Sequence, residues 1–240
     1  MVTTSIGDLG NSGLKICGFK NDRPGPLRRF YGSGCLSKAA RWLAQHGPVT
    51  LHAACANPDC ARKLSSALKR CGLFLSPVKK SRQCGLRFEY DFNRLGVDRL
   101  ADAVAARADY SDSNLIVLDF GTALTVNVIE GNVFSGGFIV PSPRVMLDSL
   151  ARRAAALPSV GKVNPQPVFA RTTRDAMTSG AHLLFVNGVT GMLVWIVKVR
   201  GRQFRILATG GGAALAGALP FPVTRDDTLT LRGIERLARK

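Results

Sequence analysis

Two hydrophobic periods alternate along the chain. Apolar residues that recur at every third or fourth position are typical of a helix with one buried face, whereas short continuous or alternating apolar runs are typical of strands. The strand-like segments are 2–9, 14–19, 115–118, 124–129, 133–140 and 205–208, and the helix-like segments are 35–46, 58–71, 97–108, 145–156, 173–199 and 228–239. Strands that alternate with helices predict an α/β fold.

The longest helical pattern, 173–199, carries glycines at 180, 188 and 191 near one face, together with Leu184. Because glycine costs a helix about 1 kcal/mol relative to alanine, this spacing predicts that a neighbouring element approaches that face closely. The most apolar part of the pattern, 192–199, contains Lys198 and is far shorter than the roughly 20 residues of a membrane span. We therefore expect no membrane partner.

A polar segment, Tyr110–Ser113, divides these elements into two groups. A chain of 240 residues can bury one or two sizeable cores. We therefore expect an N-terminal lobe of residues 1–110 and a C-terminal lobe of residues 111–240 within one compact unit.

Both groups contain the same short pattern: a strand, Asp-x-Gly, a small polar residue and a second strand. The two copies are 8–12 (Asp-Leu-Gly-Asn-Ser) and 119–122 (Asp-Phe-Gly-Thr). An aspartate at a strand end can hold a hydrated cation, glycine lets the backbone approach a phosphate closely, and hydroxyl and amide groups donate to phosphate oxygens. One copy alone is a common turn, but two matching copies predict that facing hairpins, headed by Asp8 and Asp119, grip a triphosphate and its metal.

Two further segments contain residues that could bind a ligand or act in catalysis. The glycine turn 209–212 follows a strand and precedes a helix, which is an arrangement that can admit a base or ribose against bare backbone. In the segment 95–99, Asp98 lies in the first turn of a predicted helix, where the helix dipole favours the ionised form. Asp98 can act as a base towards an alcohol and Arg99 as a clamp on a carboxylate or phosphate. The alternative is an ordinary acidic N-terminus followed by a surface arginine.

Charge and cysteine content narrow the classes of function. The chain has 33 Lys and Arg against 16 Asp and Glu, a formal charge of +17 that is spread over both halves. Such a field attracts phosphates, but no DNA-binding motif accompanies it, so nucleic acid is not the expected partner. Six cysteines form no CxxC pair, and without a visible export signal we expect reduced thiols and a cytoplasmic protein.

The ordered set of motifs resembles the type III pantothenate kinases. The family pattern D-x-G-N-[ST]-x-x-K matches 8–15, L-G-x-D-R matches 95–99, D-x-G-T-A-x-T matches 119–125, and shorter family patterns match 136–141, 179–180 and 209–211. The resemblance covers nearly the whole chain. It implies the fold of the acetate kinase–Hsp70–actin superfamily, in which two ribonuclease-H-like lobes hold ATP in the cleft between them.

The resemblance also implies an activity: ATP-dependent phosphorylation of the 4′-hydroxyl of pantothenate, the first step towards coenzyme A. Asp98 is then the catalytic proton acceptor, and Asp119 is the ligand of a monovalent cation, K⁺ or NH₄⁺. The residues implied in pantothenate binding are Tyr90, Gly96, Val97, Asp98, Arg99 and Thr173. Those implied in binding ATP with Mg²⁺ are Asp8, Leu9, Gly10, Asn11, Ser12, Gly13, Leu14, Lys15 and Thr122. A homodimer is implied, with the pantothenate site near its interface.

Three positions depart from the family pattern. Asn127 stands where the family usually has Asp after the second threonine, Ser142 stands where it has Gly, and Ala154-Ala155 stands where it has Thr-Ala. These departures keep open an alternative function, a catalytically weakened regulatory or nucleic-acid-binding relative on the same scaffold. Another superfamily kinase, acting on a sugar or acetate, is a third hypothesis.

Overall fold

The computed structural model describes residues 4–55, 58–111, 114–161 and 169–239. Within these residues, two six-stranded sheets form the framework. The strands of the first sheet are β1 (Thr4–Leu9), β2 (Gly13–Lys20), β3 (Arg23–Pro24), β4 (Arg28–Tyr31), β5 (Thr50–Cys55) and β6 (Phe74–Pro77). Their order is β3-β2-β1-β5-β6, and β4 also pairs with β2.

The second sheet repeats this arrangement. Its strands are β7 (Arg87–Phe88), β8 (Leu115–Phe120), β9 (Ala123–Glu130), β10 (Val133–Pro141), β11 (Arg205–Thr209) and β12 (Val223–Arg225). Their order is β12-β11-β8-β9-β10-β7. In each sheet an antiparallel hairpin, β1–β2 or β8–β9, is flanked by parallel strands on the side of its first strand. The structure therefore confirms that the two Asp-x-Gly segments occupy equivalent positions.

Six helices and the two sheets form alternating layers in the described part of the chain. The helices are α1 (Cys35–His46), α2 (Pro58–Lys69), α3 (Val97–Asp109), α4 (Pro143–Arg153), α5 (Thr173–Arg200) and α6 (Leu229–Ala238). Helices α1 and α2 bury apolar side chains against the outer face of the first sheet. Helix α5 and the 3₁₀ helix Ala213–Ala218 do the same on the second sheet. Helices α3 and α6 share one core with the inner faces of both sheets.

Helices α3 and α6 pack against each other with their backbones in close contact. A Cβ atom at Gly233 on α6 would overlap the backbone of Ala101 on α3, so glycine permits this approach. Arg232 on α6 donates to Asp109 on α3 at 2.7 Å and to Asp226 at 2.6 Å. Eight consecutive residues of α3, Arg99–Ala106, are buried. Charged side chains on this helix consequently enter the interior of the molecule.

Most predicted helices and strands coincide with observed ones, because their apolar residues recur with a clear period over many positions. The predicted helix 35–46 has the bounds of α1, and the predicted helix 173–199 ends one residue before α5 does. The proposed lobes are joined by more than their chain connection: β7 pairs with β10, and α6 packs against β1. The lobe boundary at 110/111 stays a prediction, and residues Asp112 and Ser113 of its polar segment lie outside the described residues.

Helix α5 has two different faces. Phe185, Val189 and Leu193 pack on the second sheet. By length and composition alone α5 could cross a bilayer, a criterion that the core helices of soluble proteins also meet. On the glycine face, apart from the adjoining backbone of α5 itself, no atom of the described residues lies within 4 Å of the place where a Cβ of Gly180, Gly188 or Gly191 would stand. The close neighbour that the glycines predict is therefore not supplied by this part of the same chain.

Candidate active site

The tips of the two hairpins meet. The hydroxyl oxygens of Ser12, in the β1–β2 turn, and Thr122, in the β8–β9 turn, are 2.7 Å apart and share a hydrogen bond. Directly behind each tip lies the aspartate of the repeat: Asp8 faces Lys15 across the first hairpin, and Asp119 faces Thr125 across the second. Two separate sheets thus place two carboxylates and two hydroxyl groups around one cleft.

Asp8 and Lys15 form an ion pair in the first hairpin. The Nζ atom of Lys15 donates to Oδ2 of Asp8 at 3.2 Å, and both side chains are mostly buried. Burial lowers the pKa of Lys15, but attraction by Asp8 and by Asp119 outweighs burial and leaves that pKa above its ordinary value. Lys15 is therefore a firmly charged ammonium group between the two hairpins, a suitable neighbour for phosphate.

Asp119 has no such partner. Its Oδ1 atom is shielded from solvent and lacks a hydrogen-bond partner. Burial raises the pKa of Asp119 to about 7, with further contributions from the negative charges of Asp8 and Asp98, although Lys15 acts in the opposite direction. A carboxylate oxygen that is shielded from solvent and has no hydrogen-bond partner is strongly stabilised by a cation.

The glycine turn after β11 packs onto the second hairpin. Gly210 has a φ of +93°, and a Cβ there would overlap Oδ1 of Asp119 and the backbone of Phe120. The amide of Gly212 donates to the carbonyl oxygen of Phe120 at 2.9 Å. Beside this contact lies a largely apolar cavity of about 220 Å³, lined in part by Leu124, Phe185 and Leu215. Its apolar lining and its position beside the second hairpin suit an apolar group.

Asp98 stands at the start of α3, which begins after Gly96. Its Oδ1 atom accepts a hydrogen bond from the amide of Arg99 at 2.9 Å. A Cβ at Gly96 would overlap this same oxygen, so a larger residue there would require the Asp98 carboxylate to shift. Burial raises the pKa of Asp98, and repulsion by Asp8 adds to the effect. A partly buried carboxylate with a raised pKa is suited to accept a proton.

The side chain of Arg99 is only 5% exposed, contrary to the alternative of a surface arginine. Its Nε atom donates to Oδ1 of Asn127 at 2.6 Å, and its Nη1 atom donates to the hydroxyl of Tyr90 at 3.4 Å. The guanidinium also lies over the rings of Tyr90 and Phe134, at 5.1 and 5.6 Å from their centres. Its Nη2 atom is buried without a partner.

Asp102 is a member of the cluster that sequence reasoning missed. It lies one helical turn after Asp98 and is fully buried. Its Oδ1 atom accepts a hydrogen bond from Thr230 at 2.7 Å, whereas Oδ2 has no partner. Burial, followed by repulsion from Asp119, raises the pKa of Asp102 well above the ordinary value. The signal was present in the sequence, because an aspartate four residues after Asp98 interrupts an otherwise apolar stretch of α3.

The remaining predicted residues lie in three places: the first hairpin, the start of α3 and the start of α5. Gly10, Asn11 and Gly13 lie in or beside the turn of the first hairpin, whereas Leu9 and Leu14 are buried in the core, so only their backbone can face a ligand. Val97 begins α3 beside Asp98. Thr173 begins α5 and is exposed, and within the described residues no hydrogen bond or ring contact joins it to Asp98 or Arg99.

Metal binding by protein side chains alone has no basis among the described residues, because no three His, Cys, Asp or Glu side chains are close enough to hold an ion together. A cation beside Asp119 would therefore need further oxygen ligands. Water, backbone carbonyls and substrate phosphates are the usual source of such ligands.

Two mixed sheets of repeated strand order, with facing hairpins and a glycine turn at one cleft, define the actin–Hsp70–sugar-kinase class of folds. Solved structures with a similar fold support this assignment of the fold class. A Baf family transcriptional activator from Campylobacter jejuni superposes with a TM-score of 0.58 at 18% identity, covering 98% of this chain and 97% of that one. A ROK family glucokinase from Streptomyces griseus, in complex with glucose and AMPPNP, gives 0.53 at 14% identity, covering 98% and 99%.

Sequence comparison identifies the family. The model of the type III pantothenate kinase family matches residues 6–194, and the chain belongs to that family. A type III pantothenate kinase from Rhodospirillum rubrum is 41% identical over 151 residues, which are 62% of this chain and span 58% of that protein's length. One from Xanthomonas oryzae pv. oryzae is 31% identical over 210 residues, which are 86% of this chain and 85% of that protein.

Proposed function

We propose that this chain transfers the γ-phosphoryl group of ATP to the 4′-hydroxyl of pantothenate, the first step of coenzyme A synthesis. The observation that carries the proposal is the convergence of three motifs on one cleft. The hairpin tips touch through Ser12 and Thr122, and the charge of Asp98 acts on the pKa of Asp119. An acceptor alcohol beside Asp98 would then lie near a phosphate held by the hairpins.

The nucleotide site is assigned to both hairpins. Amides of residues 8–15 and the hydroxyls of Ser12 and Thr122 would donate to phosphate oxygens, and the ammonium of Lys15 would neutralise their charge. Asp8 would hold Mg²⁺ through its hydration shell. The apolar cavity beside Gly212 would take the adenosine. Mg²⁺ supplies charge neutralisation on the transferring phosphoryl group.

A monovalent cation, K⁺ or NH₄⁺, is proposed beside Asp119. The fit rests on the Oδ1 atom of this carboxylate, which is shielded from solvent and has no hydrogen-bond partner. An alkali ion accepts oxygen ligands of variable geometry, so backbone and phosphate oxygens can complete the shell. The cation would hold the Asp119 carboxylate ionised next to the phosphates.

Asp98 is proposed as the proton acceptor. Phosphoryl transfer depends mainly on positioning and charge neutralisation, so a carboxylate that accepts the hydroxyl proton late is sufficient. Gly96 and Val97 would present the backbone at the start of α3 to pantothenate. Arg99 would bind the carboxylate of pantothenate, with Tyr90 beside it. Thr173 is proposed as a further pantothenate contact from the start of α5.

A homodimer is proposed through the glycine face of α5, on which Gly180, Gly188 and Gly191 have no close neighbour from another described element. This face exposes large apolar side chains, among them Leu184, which is 67% exposed, and Trp195, which is 54% exposed. A groove of about 570 Å³ lies between α4 and α5 next to it. Single apolar side chains are common on surfaces, but a row of them beside three open glycines is typical of an interface. We assign the protein to the cytoplasm as the compartment of coenzyme A synthesis.

The experiment that tests the function is a coupled ADP-release assay with and without pantothenate, each with and without K⁺. We expect pantothenate-dependent ADP release that requires K⁺, and phosphopantothenate as the product by mass spectrometry. ADP release that ignores pantothenate but responds to a sugar or to acetate would refute the substrate assignment. Salt-dependent DNA binding without any ADP release would refute the enzyme assignment altogether.

A further inference from the structure

Strand β4 presents alternate side chains to two different surroundings. Phe30 packs against the core of the first sheet, with its ring centre 6.1 Å from that of Trp42. Its two neighbours on the strand, Arg29 and Tyr31, therefore point to the opposite face. Arg29 donates to Asp227, which follows β12, at 3.1 Å. This face of β4 is consequently turned towards elements of the proposed C-terminal lobe.

The side chain of Tyr31 extends from the first hairpin to the glycine turn. Tyr31 pairs with Gly13 across β4 and β2. A Cβ at Gly13 would overlap Cδ1 of the tyrosine ring, so the ring lies directly on the backbone of the hairpin. At the other end of the side chain, the hydroxyl oxygen is 3.4 Å from the place where a Cβ of Gly211 would stand. One side chain thus lies against the first hairpin and beside the glycine turn.

The hydroxyl of Tyr31 is open and lies in the electrostatic neighbourhood of Lys15. Burial lowers the pKa of Lys15, and Tyr31 is one of the groups, after Asp8 and Asp119, that raise it. Tyr31 is 48% exposed, and among the described residues its hydroxyl forms no hydrogen bond. A phenol with an anchored ring and an open hydroxyl can donate a hydrogen bond to a ligand in the cleft.

The position of this hydroxyl determines which part of a nucleotide it could reach. Lys15 is assigned above to the phosphates, and the cavity beside Gly212 to the base. The hydroxyl of Tyr31 is near both Lys15 and Gly211, and therefore between those two assignments. In a nucleotide, the ribose 5′-phosphate unit joins the base to the outer phosphates, and its oxygen atoms accept hydrogen bonds.

We propose that Tyr31 is a nucleotide-binding residue whose hydroxyl donates to the ribose 5′-phosphate unit of ATP. The inference rests on the proposed function for the presence of ATP in the cleft. It adds a contact from β4, a strand outside both hairpins and outside the glycine turn. Because the ring rests on one sheet and the hydroxyl reaches the turn of the other, the nucleotide is bound from both sides.

The test measures the binding of ADP, AMP and pantothenate by calorimetry for the wild type, Tyr31→Phe and Tyr110→Phe. Both variants lose one phenolic oxygen and keep the ring. Tyr110 follows the last residue of α3, at the opposite end of that helix from Asp98, and its ring contacts Arg205. We expect Tyr31→Phe to weaken ADP and AMP binding by the same factor, about fivefold, and to leave pantothenate binding unchanged. Tyr110→Phe is expected to leave all three unchanged.

Three results would overturn the proposal. Unchanged ADP binding in Tyr31→Phe would show that the hydroxyl makes no contact with the nucleotide. Equal losses for ADP and pantothenate would indicate a purely structural role. A loss for ADP without a loss for AMP would place the contact on the outer phosphates. Circular dichroism checks the fold of Tyr31→Phe, which should be retained because the ring stays on Gly13.

Failure of the proposed function gives a different result. A wild type that binds ADP but does not phosphorylate pantothenate, together with weaker ADP and AMP binding in Tyr31→Phe, supports the inference and refutes the function. Conversely, phosphopantothenate formation with an unchanged KM for ATP in Tyr31→Phe supports the function and refutes the inference.

Discussion

At the scale of single residues, the cleft contains more negative than positive charge. Four aspartates, at positions 8, 98, 102 and 119, influence one another electrostatically, and Lys15 forms an ion pair with only one of them. The pKa values of Asp98, Asp102 and Asp119 are all raised, in each case chiefly by burial. These carboxyl groups therefore hold protons more readily than exposed ones do, and a bound cation would favour their ionised form.

Stability should fall as pH rises in the absence of monovalent metal ions. The pKa values of Asp102 and Asp119 are higher in the folded chain than in the unfolded one, so the folded state binds more protons between those values. The stabilisation is complete below the unfolded pKa, about 4, and is lost as pH rises through the folded pKa values, to about 7 for Asp119. Urea unfolding across that range, in a tetramethylammonium buffer, measures it.

Asp102→Asn should reduce that pH slope, since the amide keeps the acceptor for Thr230 but cannot titrate. Asp148→Asn, on α4, serves as the control and should leave the slope as it is. An Asp102→Asn protein with the slope of the wild type would show that this carboxyl is not the group that titrates.

Asp98→Asn should lower kcat by about 100-fold or more while the circular dichroism spectrum and the melting temperature stay close to those of the wild type. The amide can accept the hydrogen bond of the Arg99 backbone but cannot take a proton from the alcohol. In the wild type, kcat should fall as pH decreases through the raised pKa of Asp98. Steady-state kinetics over a pH series measure both effects, and an unchanged rate would remove Asp98 from the mechanism.

Local sequence patterns predicted Asp8, Asp98 and Asp119, because each lies in a short motif whose geometry is fixed by its own turn. The contact between Arg99 and Asn127 was beyond that reasoning. The two residues are 28 positions apart and meet only because α3 packs on the inner face of β9. For the same reason, sequence alone left open whether Arg99 was a surface residue.

At the scale of elements, periodicity located the helices but not the sheet partners of the short strands. The two-residue strand β7 has no period of its own, and it joins the second sheet only because residues 87 and 88 run beside 133 and 134. The glycine turn was predicted from composition. Glycine is needed at position 210 for a steric reason, since the turn lies against Asp119 and Phe120 and leaves no space for a side chain.

Gly210→Ala should destabilise the protein and weaken ATP binding. The new Cβ would meet Oδ1 of Asp119, and the positive φ disfavours alanine. Gly217→Ala is the matched control, because, apart from the adjoining backbone, no atom of the described residues lies within 4 Å of its Cβ position. Differential scanning fluorimetry with and without ATP compares the two variants. Equal behaviour of both would contradict the proposed contact between the turn and the nucleotide site.

Leu184→Glu should convert a dimer into a monomer, since it places a charge in the apolar glycine face of α5. Gln45→Glu, on the exposed part of α1, adds the same charge elsewhere and should leave the dimer intact. Sedimentation velocity distinguishes the two states. A wild type that sediments as a monomer, or a Leu184→Glu variant that remains dimeric, would refute this interface.

At the scale of the whole molecule, the chain has a net charge of +17, whereas the side chains of the cleft are mostly acidic. The net field should still accelerate the arrival of anionic nucleotide, and salt should screen it. We expect kcat/KM for ATP to fall as tetramethylammonium chloride is added at constant K⁺, with kcat nearly constant. A kcat/KM independent of salt would show that the excess of basic residues has no part in capturing the nucleotide.

The hydrogen bond between Ser12 and Thr122 joins the tips of the two hairpins. One hydroxyl donates and the other accepts, so the accepting hydroxyl keeps a proton for a further acceptor. A triphosphate bound as proposed would receive that proton without separating the tips. The contact between two sheets that are far apart in the sequence therefore makes the cleft preorganised, which lowers the cost of ordering it around a ligand.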